Sequence, residues 1–114
     1  MKEQRKLKRR HIMFYSRVFN RKTGKLIGYL GDINAKGIMI ISEYPLEVDI
    51  DHLLRMDLPA DIYSQAVLNL QARSVWCQPD IDTNFYNTGF QLSDIPKDDI
   101  AIIGQIFDDY GFRE

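Results

Sequence analysis

Val67-Leu68-Asn69-Leu70-Gln71-Ala72-Arg73-Ser74-Val75-Trp76-Cys77 sets Leu68, Leu70, Ala72 and Trp76 on one side of an extended chain, and Asn69, Gln71 and Arg73 on the other. Successive side chains of a strand point to opposite faces, so this is a strand with one buried face, and Trp76 reads as a core side chain. The same period of two recurs on either side. Upstream, His52 to Leu58 turns Leu54, Met56 and Leu58 inward and Leu53, Arg55 and Asp57 outward, until Pro59-Ala60-Asp61 stops it. Downstream, Phe85 to Leu92 gives Tyr86, Thr88, Phe90 and Leu92 a common face.

Three further runs precede these. Ile12 to Phe19 sets Phe14, Ser16 and Val18 against Tyr15, Arg17 and Phe19. Asn20-Arg21-Lys22-Thr23-Gly24 is a polar hairpin loop ending in glycine, and it returns the chain into Lys25 to Ile33. Ile38-Met39-Ile40-Ile41 is apolar throughout, as expected for a strand covered on both sides. Ser42 to Asp51, with Pro45 and four acids, and Gln78 to Asn84, with Pro79 and two, read as loops. The period changes only at the end, where Ile100, Ile103, Phe107 and Tyr110 recur at three and four with Ile106 adjoining. This is one face of an amphipathic helix over 96–110, with Pro96 tolerated in its first turn and Asp98 and Asp99 at the positive end of its dipole. Six strands at short spacing and one closing helix describe a mainly all-β domain, an antiparallel barrel or a sandwich with the helix packed over an opening. Barrel closure would also remove the edges that six short strands otherwise expose.

The 114 residues, 45% of them hydrophobic, suit one core and no second domain. A single cysteine, Cys77, excludes an internal disulfide, in keeping with a reducing cytoplasm. The basic N-terminus lacks the apolar run of a signal peptide, and no apolar stretch approaches a membrane span. The expectation is a cytoplasmic protein.

The net charge of −1 conceals a strong asymmetry. Residues 1–25 carry ten basic side chains against Glu3 alone, while the remainder carries five basic and fifteen acidic ones. Residues 1–11, with the run Arg5-Lys6-Leu7-Lys8-Arg9-Arg10, read as a flexible cationic arm that a ligand would order, followed by the domain proper over 12–114. Arg5 and Arg9 stand four residues apart, on one face whether the arm is helical or extended, and a guanidinium fork pairs with phosphate oxygens or with the O6/N7 edge of guanine. Beyond the hairpin lies Gly31-Asp32-Ile33-Asn34-Ala35-Lys36-Gly37. Asp32 and Asn34, two apart, point the same way in an extended chain, and Gly37 lets the backbone turn back. An ionised carboxylate accepts the two donors on guanine's other edge, so arm and fork together describe a guanine nucleotide. Each taken alone has an ordinary reading: a basic terminus is a solvated tail, and Asp-x-Asn-x-x-Gly is a turn between strands.

In these residues the sequence resembles the PilZ family, receptors for the bacterial second messenger cyclic di-GMP. Arg5 and Arg9, with Arg10 able to substitute, match the family's Arg-x-x-x-Arg, and Asp32 and Gly37 match its Asp/Asn-x-Ser-x-x-Gly. Ala72-Arg73-Ser74-Val75-Trp76, Thr88-Gly89-Phe90 and the closing helix resemble its later elements. The resemblance implies a six-stranded antiparallel β-barrel with a C-terminal α-helix, an arginine arm folding over the ligand, and a second motif at the other guanine edge. Asn34 departs from the pattern, placing a longer amide where the family has serine. Some members bind no nucleotide and act through protein partners, which is the alternative reading.

Nothing else carries chemistry. His11 and His52 lack neighbours at metal-ligand spacing and read as ordinary surface or edge histidines, Cys77 has no nucleophilic context, and no carboxylate pair, phosphate-cradling loop or triad stands out. The expectation is a receptor, with no catalytic residue, metal or cofactor beyond the ligand itself. It binds cyclic di-GMP through Arg5, Arg9, Arg10, Asp32, Asn34 and Gly37. With four residues ahead of Arg5, ordering of the arm would be felt by a separate effector protein. Nucleic acid is a less favoured partner, because the body is acidic and its strands lack paired exposed aromatics.

Overall fold

Alternation of apolar side chains drives six strands: β1 (Arg17–Asn20), β2 (Leu26–Ile33), β3 (Gly37–Ser42), β4 (Asp51–Asp57), β5 (Val67–Pro79) and β6 (Tyr86–Ser93), with helix α1 (Lys97–Tyr110) after them. This computed structural model describes residues 16–33, 36–58, 63 and 65–110, without the side chains of 107, 109 and 110. The N-terminal arm, Asn34 and the first half of the expected first strand, 12–15, therefore lie outside it.

All pairings are antiparallel, in the order β1-β2-β3-β6-β5-β4, and β4 returns to β1 through Val18 opposite Met56, so the sheet closes into a barrel. The choice between barrel and sandwich is thereby settled. Val18, Leu30, Ile40, Leu54, Met56 and Leu68 meet inside it, as the period of two requires. The first hairpin turns at Asn20, whose Oδ1 accepts the N–H groups of Lys22 at 2.9 Å and Thr23 at 3.2 Å. Gly24 completes that turn at φ 75°, a conformation that glycine adopts without steric cost.

Helix α1 closes the structure by adding Ile102, Ile103 and Ile106 to the same core. The Pro96 carbonyl accepts the Ile100 N–H at 3.0 Å, so the proline stands at the start of the first turn, where its missing donor costs nothing. The expected inward face is corrected at Ile100, which is 46% exposed. At about 100° per residue it stands roughly 120° round the helix from Ile106, the centre of the buried stripe. The side chains of Phe107 and Tyr110 lie outside the described set.

Three more expectations are corrected. In β3, only Ile38, Ile40 and Ser42 are buried, whereas Met39 and Ile41 are half-covered, because a closed single sheet has no second layer over its outer face. In β5, alternation holds through Ser74 and then breaks. A register shift between Ser74 and Trp76 inserts Val75, so the indole points outward, 39% exposed, instead of into the core. His52 is not a surface histidine: it takes the inward parity of Leu54 and Met56, and its ring meets Phe90 edge-on at 5.3 Å. Burial lowers its pKa against the opposing pull of Asp51.

Candidate functional site

The register of four neighbouring strands lines up one outward-facing row. Asp32 on β2 stands opposite Met39 on β3, Met39 opposite Gly89 on β6, and Gly89 opposite Trp76 on β5. Three strand spacings of about 4.8 Å separate the ends of the row, roughly 14 Å in all. A carboxylate stands at one end and an indole at the other.

The floor between them is low because two residues lack side chains. At Gly89 a Cβ would overlap Nε1 and Cε2 of Trp76 and sit 2.8 Å from Cζ2, so the indole lies flat across the β6 backbone. At Gly37 a Cβ would overlap the Phe90 carbonyl oxygen, so β3 approaches β6 closely where the chain comes out of its turn. The result is an open groove of about 510 Å³, floored by Met39, Gly89 and Phe90 and walled by Val75 and Trp76 on one side and Asp32 and Lys36 on the other. That volume lies within the range of about 300–1,000 Å³ usual for small-molecule sites.

Asp32 is fixed within this arrangement. Its Oδ1 accepts the Ile33 N–H at 2.8 Å, and a register shift between Leu30 and Asp32 aims the side chain away from the core. The Lys36 carbonyl accepts the Leu92 N–H at 2.9 Å, which ties the β2–β3 turn to β6. Asp32 and Lys36 are the charged residues that line the groove among the described residues.

Of the six residues singled out in the sequence, the structure brings Asp32 and Gly37 to one groove; Arg5, Arg9, Arg10 and Asn34 lie outside the described residues. Strict alternation sends Trp76 to the core and marks Gly89 only as part of a strand. A glycine inside a strand marks close approach of another group, and the group here is Trp76, one strand away. The chain enters β1 against β2, two residues before Asp32, since the Ser16 carbonyl accepts the Leu30 N–H at 2.9 Å. Among the described residues no cluster of His, Cys, Asp or Glu is placed to hold a metal ion, and no helix is long and apolar enough to cross a membrane.

A family model, the PilZ domain, matches residues 3–109, nearly the whole chain. No curated protein and no solved structure matches it at a significant level.

Proposed function

Because the chain belongs to the PilZ domain family, we propose that it is a receptor for cyclic di-GMP, with the ligand lying in the groove between Asp32 and Trp76. PilZ domains are binding modules, generally for this nucleotide. The observation that carries the reading is the outward row of Asp32, Met39, Gly89 and Trp76. It offers a flat aromatic face and a carboxylate acceptor three strands apart along a low floor of Met39 and Gly89, a match for a flat, two-base ligand.

The roles follow from chemistry. The indole stacks on one base, worth about 1–3 kcal/mol. The Asp32 carboxylate accepts N–H donors from a guanine edge. Arg5 and Arg9, with Arg10 in register, supply the guanidinium groups for phosphates and for O6/N7, while Asn34 adds an amide beside Asp32. Chain length supports the meeting of arm and groove. Arg9 lies seven residues and Arg5 eleven residues before Ser16, which at about 3.5 Å each allows spans of roughly 25 and 38 Å. Ordering of that arm on the ligand would present a new surface to a separate effector protein.

The test is calorimetric titration of the full chain with cyclic di-GMP, then GTP, then a mixed-sequence oligonucleotide. Saturable binding of the first alone, near micromolar, is the expected result. Binding of the oligonucleotide alone with steep salt dependence would replace the reading with a nucleic-acid clasp. Silence throughout would replace it with a protein-interaction module that takes no nucleotide, the outcome in which Asn34 has cost the ligand its site.

A further inference from the structure

Two residues along β3 from Met39, Ile41 floors a second groove, of about 180 Å³, with Leu26, Tyr29, Tyr44 and Phe85 around it. Tyr44 is 75% exposed, Leu26 46% and Tyr29 38%, an unusual concentration of large apolar surface on one outer face. The space holds one large side chain and is too small for a nucleotide, given the usual ~300–1,000 Å³ of small-molecule sites.

The rim is acidic. Glu43 lines the groove itself, and the turn that holds Phe85 carries Asp80 and Asp82, with Asp80 N–H donating to the Phe85 carbonyl at 3.0 Å and Phe85 N–H to that of Asp82 at 2.9 Å. The Asp80 carboxylate accepts a hydrogen bond from Asn87 Nδ2 at 3.0 Å, which holds its pKa below the usual carboxylate range. No lysine or arginine occurs between residues 43 and 54 or between 74 and 96. Lys25, which precedes Leu26 in the chain, is not among the groove's lining residues, and three acids against this one cation leave the balance acidic.

The geometry points to this groove as the docking site for a segment of a partner protein that carries arginine or lysine beside a large apolar residue. The apolar side chain enters between Leu26 and the two tyrosines, and the flanking cations meet Glu43, Asp80 and Asp82 or the tyrosine faces. Charge complementarity selects this occupant: an acidic segment would be repelled. The site does not depend on the nucleotide. It does share a ridge with the nucleotide groove, because Met39 and Ile41 both lie over Gly31, where a Cβ would stand 2.7 Å from Met39 Cε and 3.0 Å from Ile41 Cγ1.

The test uses the full chain and three short fluorescein-labelled peptides followed by anisotropy. One repeats Arg-Leu-Lys-Phe, one replaces its apolar residues with glycine and serine, and one replaces its basic residues with glutamate. The first should bind, and each control should bind at least about tenfold more weakly. Tyr44→Ala should weaken the first peptide about tenfold while leaving the melting temperature and the cyclic di-GMP titration unchanged, and Glu43→Gln should weaken it most at low salt. Equal binding of the glycine-serine peptide, or indifference to Tyr44→Ala, would overturn the proposal. So would a dimer in sedimentation that Tyr44→Ala abolishes, which would make a second copy the occupant. Loss of nucleotide binding with peptide binding intact would count against the receptor reading alone.

Discussion

Replacing Gly89 with alanine perturbs the groove proposed for the nucleotide at its tightest point. The new Cβ would overlap Nε1 and Cε2 of Trp76 and press on Cζ2 at 2.8 Å. Carbon contacts are comfortable from about 3.5 Å, so one partner must move by about an ångström or more. The β6 backbone cannot, being paired with β3 on one side and β5 on the other. The indole can, because its outer edge faces solvent, and it should swing outward. An increase in exposure from 39% to about 70% returns roughly 75 Å² of ring to water, which costs about 2 kcal/mol at ~25 cal/mol per Å². The smaller conformational freedom of alanine in the unfolded chain offsets about 0.4–1 kcal/mol, leaving a net loss of stability of about 1 kcal/mol. Ligand affinity should fall further, since a displaced ring forfeits a stacking interaction of about 1–3 kcal/mol, roughly five- to 150-fold. Trp76 is the only tryptophan, so its emission reports this ring alone. The variant should show a red-shifted spectrum, stronger quenching by acrylamide, a lower urea midpoint and a weaker cyclic di-GMP titration. Unchanged emission, midpoint and affinity together would refute the seating of the indole on Gly89, and with it the groove.

Three other outcomes are expected. Asp32→Ala, Arg5→Ala and Arg9→Ala should each weaken cyclic di-GMP by about 1.5–3 kcal/mol, tenfold to over a hundredfold, while Arg21→Ala and Lys22→Ala at the hairpin tip change little; equal losses in all five titrations would indicate nonspecific attraction of a polyanion. Ser74→Ala should lower stability by about 1–3 kcal/mol in urea denaturation, because the fully buried hydroxyl donates to the Glu47 carbonyl at 2.7 Å and accepts the Ile50 N–H at 3.2 Å, pinning the β3–β4 loop to β5; an unmoved midpoint would refute that role. His52 has a folded-state pKa depressed by burial below its ordinary value of about 6.5, so the folded state resists protonation. Its contribution is fully present above about pH 6.5 and is lost as pH falls through the lower folded value, so the urea midpoint should decline over that window, and less so in His52→Gln; parallel curves for the two proteins would contradict it.

Much of the fold is legible because alternation is a local signal. Leu54, Met56, Leu68 and Leu70 lie inside where a period of two puts them, and the change of period at Ile103 marks the helix. What alternation cannot report is what lies over the far side of a strand. Ile38-Met39-Ile40-Ile41 is apolar on both faces, yet only one face is enclosed, and the exposed face turned out to carry the two grooves. The helix stripe is likewise set by the packing surface: Ile100 satisfies the spacing rule with Ile103 and still faces water. At the site, the carboxylate and the glycine turn were readable as a motif. The indole was not, since its direction depends on counting residues through a bulge that leaves no mark in composition.

That bulge has a counterpart at the other end of the row. Alternation from the buried Leu30 would turn Asp32 into the barrel, and alternation from the buried Ser74 would turn Trp76 in after it. Each faces outward because one residue, Gly31 in β2 and Val75 in β5, is inserted without a partner, so the parity is reset just before the site residue. A sheet that kept strict register would bury a carboxylate without water and would have to find core volume for an indole, both costly. The two interruptions also leave Ile33 and Cys77 to resume the inward side, Ile33 fully buried and Cys77 partly so. The barrel keeps its core while four strands gain a shared outer row with an acceptor at one end and a stacking face at the other. The core alone gives neither strand a reason to break step at these points, and the two interruptions together supply the outer row on which the proposed ligand would lie.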